Sequence, residues 1–216
     1  MNILHISASP RGRESDSHCL SEHVVGHLHR RRPGARVVQR LLSLHDLPHV
    51  DGDYAHALGG GDGAAGGASL ARSDVLIAEL EAADVLVIGT PMHNLTVPSA
   101  LKAWLDHVVR VHRTMRLTPQ GKVGTLADRP VYVAVSSGGL RTGPRARQPD
   151  FLEPYLRAVL PMIGLRDITV FSLEGTALGA QRAEAARVAA REAVDGWFAA
   201  LPAPAGARVT GALHGE

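Results

Sequence analysis

The 216-residue chain has one cysteine, Cys19. No intrachain disulfide can form, and a reducing compartment is compatible. No window reaches the roughly 18 consecutive apolar residues of a membrane span. The opening Met1-Asn2 and short apolar run lack the basic stretch and long apolar core of a secretion signal. The expectation is a soluble, cytoplasmic protein without membrane contact. Charge of one sign is not concentrated either. The net charge is +2, and the only tight basic run, Arg30-Arg31-Arg32, reads as a helix end, where cations are favoured. A nucleic-acid surface needs more clustered charge. Two catalytic signatures are missing. There is no G-x-x-x-x-G-K-[ST] phosphate loop and no G-x-S-x-G nucleophile elbow, which argues against a P-loop nucleotidase and an elbow-type hydrolase.

What is present is an alternation of strand and helix patterns over a length that suits one domain. Strands are expected at 3–7, 36–42, 84–89, 131–135 and 167–172. Between them, 17–32 carries Leu20, Val24 and Leu28 four apart, the stripe of an amphipathic helix. Further helices are expected at 69–83 (Leu70, Ile77 and Leu80 inward), at 98–110 opened by Pro98, at 150–163 and at 179–200. Residues 43–68 and 112–130 read as long loops, the first ending in a glycine run at 59–67. Residues 202–216 read as a disordered tail behind a single domain at 1–201. Five strands, each followed by a helix, imply an α/β doubly wound parallel sheet. Such sheets bind ligands beyond the strands' carboxyl ends, where strand order reverses. The loops at 8–17, 90–97 and 136–149 therefore carry the chemistry.

The first loop, Ser7-Ala8-Ser9-Pro10-Arg11-Gly12-Arg13-Glu14-Ser15-Asp16-Ser17, sets small hydroxyls and two arginines just before a helix N-terminus, whose free N–H groups and dipole attract anions. Ser15 or Ser17 also suits a simple N-cap. One cap needs one hydroxyl and the loop has four, which favours a phosphate. The second loop, Thr90-Pro91-Met92-His93-Asn94-Leu95-Thr96-Val97-Pro98-Ser99, mixes apolar and hydrogen-bonding side chains, as a flat heteroaromatic ring requires. Singly, Met92 reads as core packing and His93 as a surface imidazole. The third loop, Ser136-Ser137-Gly138-Gly139, lets backbone approach a ligand closely or serves only a turn.

In order and spacing these loops resemble the FMN-dependent NADH-azoreductases among the flavodoxin-like quinone reductases. The resemblance covers about residues 1–200. Its pieces are the first loop with Ser15 and Ser17, Pro91-Met92-His93-Asn94 with Val97-Pro98-Ser99-Ala100-Leu101-Lys102, Arg113-Thr114, Thr118, Gly121, the stretch from Pro154-Tyr155-Leu156 to Ile163-Gly164, and Glu174-Gly175. It implies a flavodoxin-like sheet of order 2-1-3-4-5 and a homodimer with FMN near the subunit interface. Ser9, Ser15 and Ser17 would hold the phosphate, with Arg11 and Asp16 in the same loop. Pro91, Met92, His93, Asn94 and Leu95, with Ser136, Ser137, Gly138 and Gly139, would hold the ring. NADH or NADPH would reduce the flavin and leave before a quinone or azo-type acceptor enters, a ping-pong order. His93 would donate a hydrogen bond to the acceptor, or only pack beside the ring.

The sequence departs from the family at several points. His93 stands where tyrosine is usual, Leu95 near a usual phenylalanine, Ser137 at a usual arginine, and Met115 and Met162 where aromatics are common. The ring pocket is thus less aromatic and has one cation fewer, which bears on acceptor choice. A dedicated biosynthetic reductase of a quinone, nitro or N–N compound is the alternative, and a flavodoxin-type electron carrier a lesser one. Two signals are set aside. Gly61-Asp62-Gly63-Ala64-Ala65-Gly66 matches a dinucleotide pattern but lacks the preceding strand that gives it meaning. Cys19, His23 and His27 have possible zinc spacing, but no carboxylate or fourth ligand is evident nearby, so no metal is expected. Trp104 and Trp197 read as core or interface anchors.

Overall fold

The computed structural model describes residues 1–42, 47–58 and 67–202. In chain order its elements are β1 (Asn2–Ser7), α1 (Asp16–Arg31), β2 (Arg36–Leu41), α2 (Gly52–Leu58), α3 (Gly67–Ala82), β3 (Val85–Pro91), α4 (Ser99–Val108), β4 (Met115–Thr118), β5 (Gly121–Gly124), β6 (Val131–Ser137), α5 (Leu152–Val159), β7 (Ile168–Glu174) and α6 (Ala180–Ala200). The glycine run at 59–66 with its dinucleotide-like pattern, residues 43–46 and the tail at 203–216 lie outside the described residues.

β3 and β6 are apolar runs buried on both faces, the signature of central strands in a parallel sheet. The sheet runs β2-β1-β3-β6-β7 with every pairing parallel. Counted within the sheet, this is the expected order. The last two strands take higher numbers because a hairpin, β4 with β5, intervenes. Helices cover both faces. α1 and α6 sit on one, where Leu20, Val24 and Leu28 meet Ile3, Val85 and Val87. On the other, Ile77, Leu80, Leu101 and Trp104 meet Leu4, Ile6, Leu86 and Ile88. Each such fully buried aliphatic side chain contributes roughly 1.5–3 kcal/mol. Among the described residues no helix is long and apolar enough to cross a membrane.

Four local expectations are corrected. Residues 112–130 hold the β4–β5 hairpin, whose strands of four residues are too short to show a period of two. A Cβ on Gly124 would lie 2.0 Å from the Gly164 nitrogen, so the hairpin's base packs on bare backbone. The stretch read as irregular contains α2, anchored by buried Tyr54, whose hydroxyl donates to the Asp106 carbonyl at 3.2 Å. Pro98 is the N-cap of α4, one residue ahead of the first turn. The helix expected at 150–163 ends as α5 and continues as a 3-10 turn at Leu160–Ile163, because Pro161 has no N–H to give the α ladder.

Candidate functional site

At the carboxyl ends of β1, β3 and β6 the three loops surround a cleft of about 320 Å³. Its walls are Ser9, Pro10, Arg11, Ser15, Asp16, Pro91, Met92, His93, Ser136, Ser137, Gly138 and Thr176. Of the expected residues, Ser17, Asn94, Leu95 and Gly139 do not line it. Ser17 is fully buried in the first turn of α1. Asn94 and Leu95 form the tip of the second loop, and Gly139 follows Gly138 in the third.

The first loop separates two roles that the sequence leaves merged. Gly12 takes a left-handed φ of +56°, and the chain turns through a 3-10 segment at Gly12–Glu14 into α1. The Ser15 hydroxyl caps that helix. It accepts from the His18 N–H at 3.2 Å and donates to the Gly12 carbonyl at 3.0 Å, the ordinary N-cap arrangement. The Ser17 hydroxyl, by contrast, is buried without a hydrogen-bond partner among the described residues, as is that of Ser7. The N–H groups of Asp16 and Ser17 likewise meet no protein acceptor there. A buried unpaired polar group costs about 1–3 kcal/mol, and orphan donors at a helix start suit an anion. The Asp16 carboxylate would repel one, but Arg187 lies 2.7 Å from it and Arg11 4.0 Å. Arg11 is largely exposed and free to turn inward.

Ser17 is placed by a tight contact between α1 and β3. A Cβ on Gly89 would lie 2.5 Å from Ser21 Oγ and 2.8 Å from the Ser17 carbonyl oxygen. Ser21 in turn touches β1. Its hydroxyl donates to the His18 carbonyl at 2.8 Å, so it accepts from His5 Nε2 at 2.7 Å. Burial, with His18 alongside, pushes the His5 pKa down to about 4, and the ring is neutral at pH 7.

In the second loop His93 and Thr96 exchange backbone hydrogen bonds of 2.9 and 3.0 Å. The two residues between them take left-handed φ, +48° at Asn94 and +71° at Leu95. For leucine this costs roughly 1–2 kcal/mol, and such strain concentrates at ligand clamps. The turn is held because the Leu95 carbonyl accepts from the Phe151 N–H at 3.0 Å. The His93 side chain is exposed and has no hydrogen-bond partner among the described residues.

In the third loop the carbonyls of Gly138 and Gly139 accept from Ala177 and Gly175 at 3.1 and 3.2 Å, while their N–H groups meet no protein acceptor among the described residues. Ser137 Oγ donates to the Gly139 carbonyl at 2.7 Å, which fixes the turn. A Cβ on Gly139 would lie 2.5 Å from Gln148 Oε1, and the Gln148 amide reaches Met92 Sδ at 3.1 Å, joining the second and third loops. Behind them the Arg141 guanidinium is buried. It bonds Asp150 and Ser172 and lies 3.3 Å from Glu153 and 3.8 Å from Glu174. The Arg141 backbone N–H donates to Glu174 at 2.7 Å. Thr176, Gln148 and Arg141 are absent from the sequence reading. Nothing separates Arg141 from the other arginines of residues 141–147 until the fold brings the acids to it.

A family profile described as a flavodoxin-like fold matches residues 1–198. The chain is 48% identical over 194 residues to FMN-dependent NADH:quinone oxidoreductase 4 of Pseudomonas fluorescens, covering 89% of this chain and 93% of that one. It is 49% identical over 176 residues to FMN-dependent NADH:quinone oxidoreductase 5 of Burkholderia lata, covering 82% and 86%. Among solved structures, an azoreductase from Bacillus anthracis superposes with a TM-score of 0.80 at 25% identity, covering 92% of this chain and 98% of that one.

Proposed function

Because the chain belongs to the flavodoxin-like fold family and is an FMN-dependent oxidoreductase that passes electrons from NADH to a quinone or azo acceptor, we propose that its three loops divide the work of holding FMN. The residues present fit that group. The phosphate sits at the start of α1, against the N–H groups of Asp16 and Ser17 and the Ser17 hydroxyl, which lies behind the wall formed by Ser15 and Asp16 and is reached when the first turn gives way slightly, with Ser9 and Arg11 closing over it. Pro91, Met92 and His93 bound one side of the ring, with Asn94 and Leu95 shaping the turn beyond them, and Ser136, Ser137 and Gly138 the other, with Gly139 next in the turn. The observation that carries this reading is the buried Ser17 hydroxyl that the protein itself leaves unpaired. FMN, when bound, supplies the redox chemistry, taking a hydride from NADH and handing it to the acceptor.

The protein's part is to orient and to stabilise charge. The free N–H groups of Gly138 and Gly139 suit the electron-rich edge of the ring, where negative charge gathers on reduction. The exposed His93 imidazole donates to the acceptor oxygen or nitrogen as it gains charge. A cleft of about 320 Å³ is at the small end for a ligand site and is taken up by FMN itself, so donor and acceptor meet the exposed ring face in turn. A second copy of the chain packs over the rim beside the second loop, where Phe151, bonded to the Leu95 carbonyl, is 60% exposed. Exposed apolar residues of that size favour an interface.

The test is spectroscopic. Protein reconstituted with FMN is expected to hold the flavin through gel filtration as a dimer, to bleach with NADH and to recover its colour with a quinone. Double-reciprocal plots at several quinone concentrations are expected to be parallel. Flavin lost on the column, or NADH oxidation no faster than with free FMN, contradicts the reading, and intersecting lines contradict the ping-pong order.

A further inference from the structure

Away from the cleft, α1 and α6 bring together a second set of donor atoms. His23 and His27 lie one turn apart on α1 and share a face. Asp195 comes from α6, 168 residues beyond His27. Its Oδ1 lies 2.7 Å from His23 Nε2 and 2.5 Å from His27 Nε2. The three ligand atoms all fall within 4.8 Å of one another. Cys19, the third member suggested by the sequence spacing, is not part of the set, since its Sγ sits 3.6 Å from the Arg13 carbonyl. The carboxylate that no nearby sequence offered is supplied by the opposite helix.

The cluster is held in place before any ligand arrives. The His27 ring stacks on Phe198 with centroids 4.8 Å apart, and the two imidazoles meet edge to face at 5.0 Å. The helices are pinned on either side, by Arg187 to Asp16 at 2.7 Å and by Arg31 to the Phe198 carbonyl at 3.2 Å. Solvent reaches all three side chains, which are 28%, 16% and 52% exposed.

We propose that His23, His27 and Asp195 form a site for one divalent late first-row cation of the zinc class. Two imidazole nitrogens and a carboxylate oxygen at about 2.0–2.2 Å, with water in the fourth position, are a donor set that zinc takes. Tetrahedral bonds of that length set neighbouring donors about 3.3 Å apart. The nitrogens and Oδ1 must therefore part by less than about 1 Å from their present spacing, and each Nε2 must be free of its proton. The ion would tie α1 to α6 across the face they share. The site is independent of the flavin reading and touches none of its residues.

The experiment is calorimetric titration of Zn²⁺ into the chelator-treated holoprotein, with melting temperatures taken in parallel. Wild type is expected to bind one ion per chain and to melt at a higher temperature, reversed by EDTA. His23→Gln and Asp195→Asn, on different helices and close in shape to the originals, are each expected to weaken binding roughly 100-fold, since even the outer partners of metal ligands matter by 10–100-fold. Flavin content and NADH turnover should not change in either variant. The proposal is overturned if wild type shows no saturable binding, or if binding is the same in both variants, which would place the ion elsewhere among the twelve histidines.

Discussion

At the α1 rim of the cleft, a buried hydroxyl and two backbone N–H groups are left without protein partners, while at the β7 rim one buried guanidinium gathers two carboxylates, a hydroxyl and a third acid nearby. The two rims are neighbours in space, yet one leaves its groups with no partner at all, while the other sets a buried cation among three acids, with only its Nε, 3.8 Å from Glu174, short of a hydrogen bond. Unpaired buried groups cost stability, so their survival marks where a ligand completes the structure. Dense pairing makes no room for a ligand and serves instead to fix the loop that carries Gly138 and Gly139. The contrast predicts opposite responses to substitution.

The largest effect is expected at Arg141. Arg141→Met leaves Asp150 and Glu174 without their cation, while Glu153 keeps Arg157 at 2.9 Å, and losing one partner of a buried pair costs about 3–5 kcal/mol. Urea unfolding should show that loss with and without flavin, and a loss under about 1 kcal/mol would mean that the network is solvated.

The next effect is a pH dependence seated beneath the α1 rim. The His5 pKa is lowered in the fold to about 4 from 6.5. The unfolded chain therefore takes up this proton first as pH falls. The contribution is present above pH 6.5, shrinks as pH drops, and is lost by pH 4. The shift corresponds to roughly 3 kcal/mol. His5→Gln, which can still donate to Ser21, should flatten unfolding free energy over that range, and a variant with wild-type pH dependence would assign the effect to other groups.

Gly89→Ala comes third, at about 1–3 kcal/mol for overpacking. The new methyl pushes on Ser21 and the Ser17 carbonyl, so flavin affinity should fall with stability. If stability falls alone, the first turn of α1 does not hold the flavin. Ser17→Ala is the smallest change and the sharpest. Flavin binding should weaken by about tenfold for the lost hydrogen bond, while the flavin-free protein should be no less stable, because the hydroxyl satisfies nothing there.

The sequence made the sheet and the three loops legible because their signals are local. A run such as Val85 to Gly89 is apolar on both faces whatever surrounds it, and hydroxyls before a helix stripe need no distant partner to be noticed. Long-range pairings were not legible. The Arg141 network joins residues from three elements, and Asp195 reaches His23 across 172 positions. The β4–β5 hairpin fell below the length at which periodicity shows. The division of labour between Ser15 and Ser17 was also invisible, since cap and ligand donor are the same residue type two positions apart and only burial and bonding tell them apart.

The most direct measurement compares the affinity of the protein for FMN with that for riboflavin, which has the same ring and no phosphate, in wild type and in Ser17→Ala. Wild type is expected to prefer FMN by roughly 100-fold or more, since even two of the three bonds to the charged group, at about 1.5–3 kcal/mol each, imply that much. Ser17→Ala should lose part of that preference while binding riboflavin as before. Equal affinity for the two flavins in wild type would contradict the phosphate seat at the start of α1.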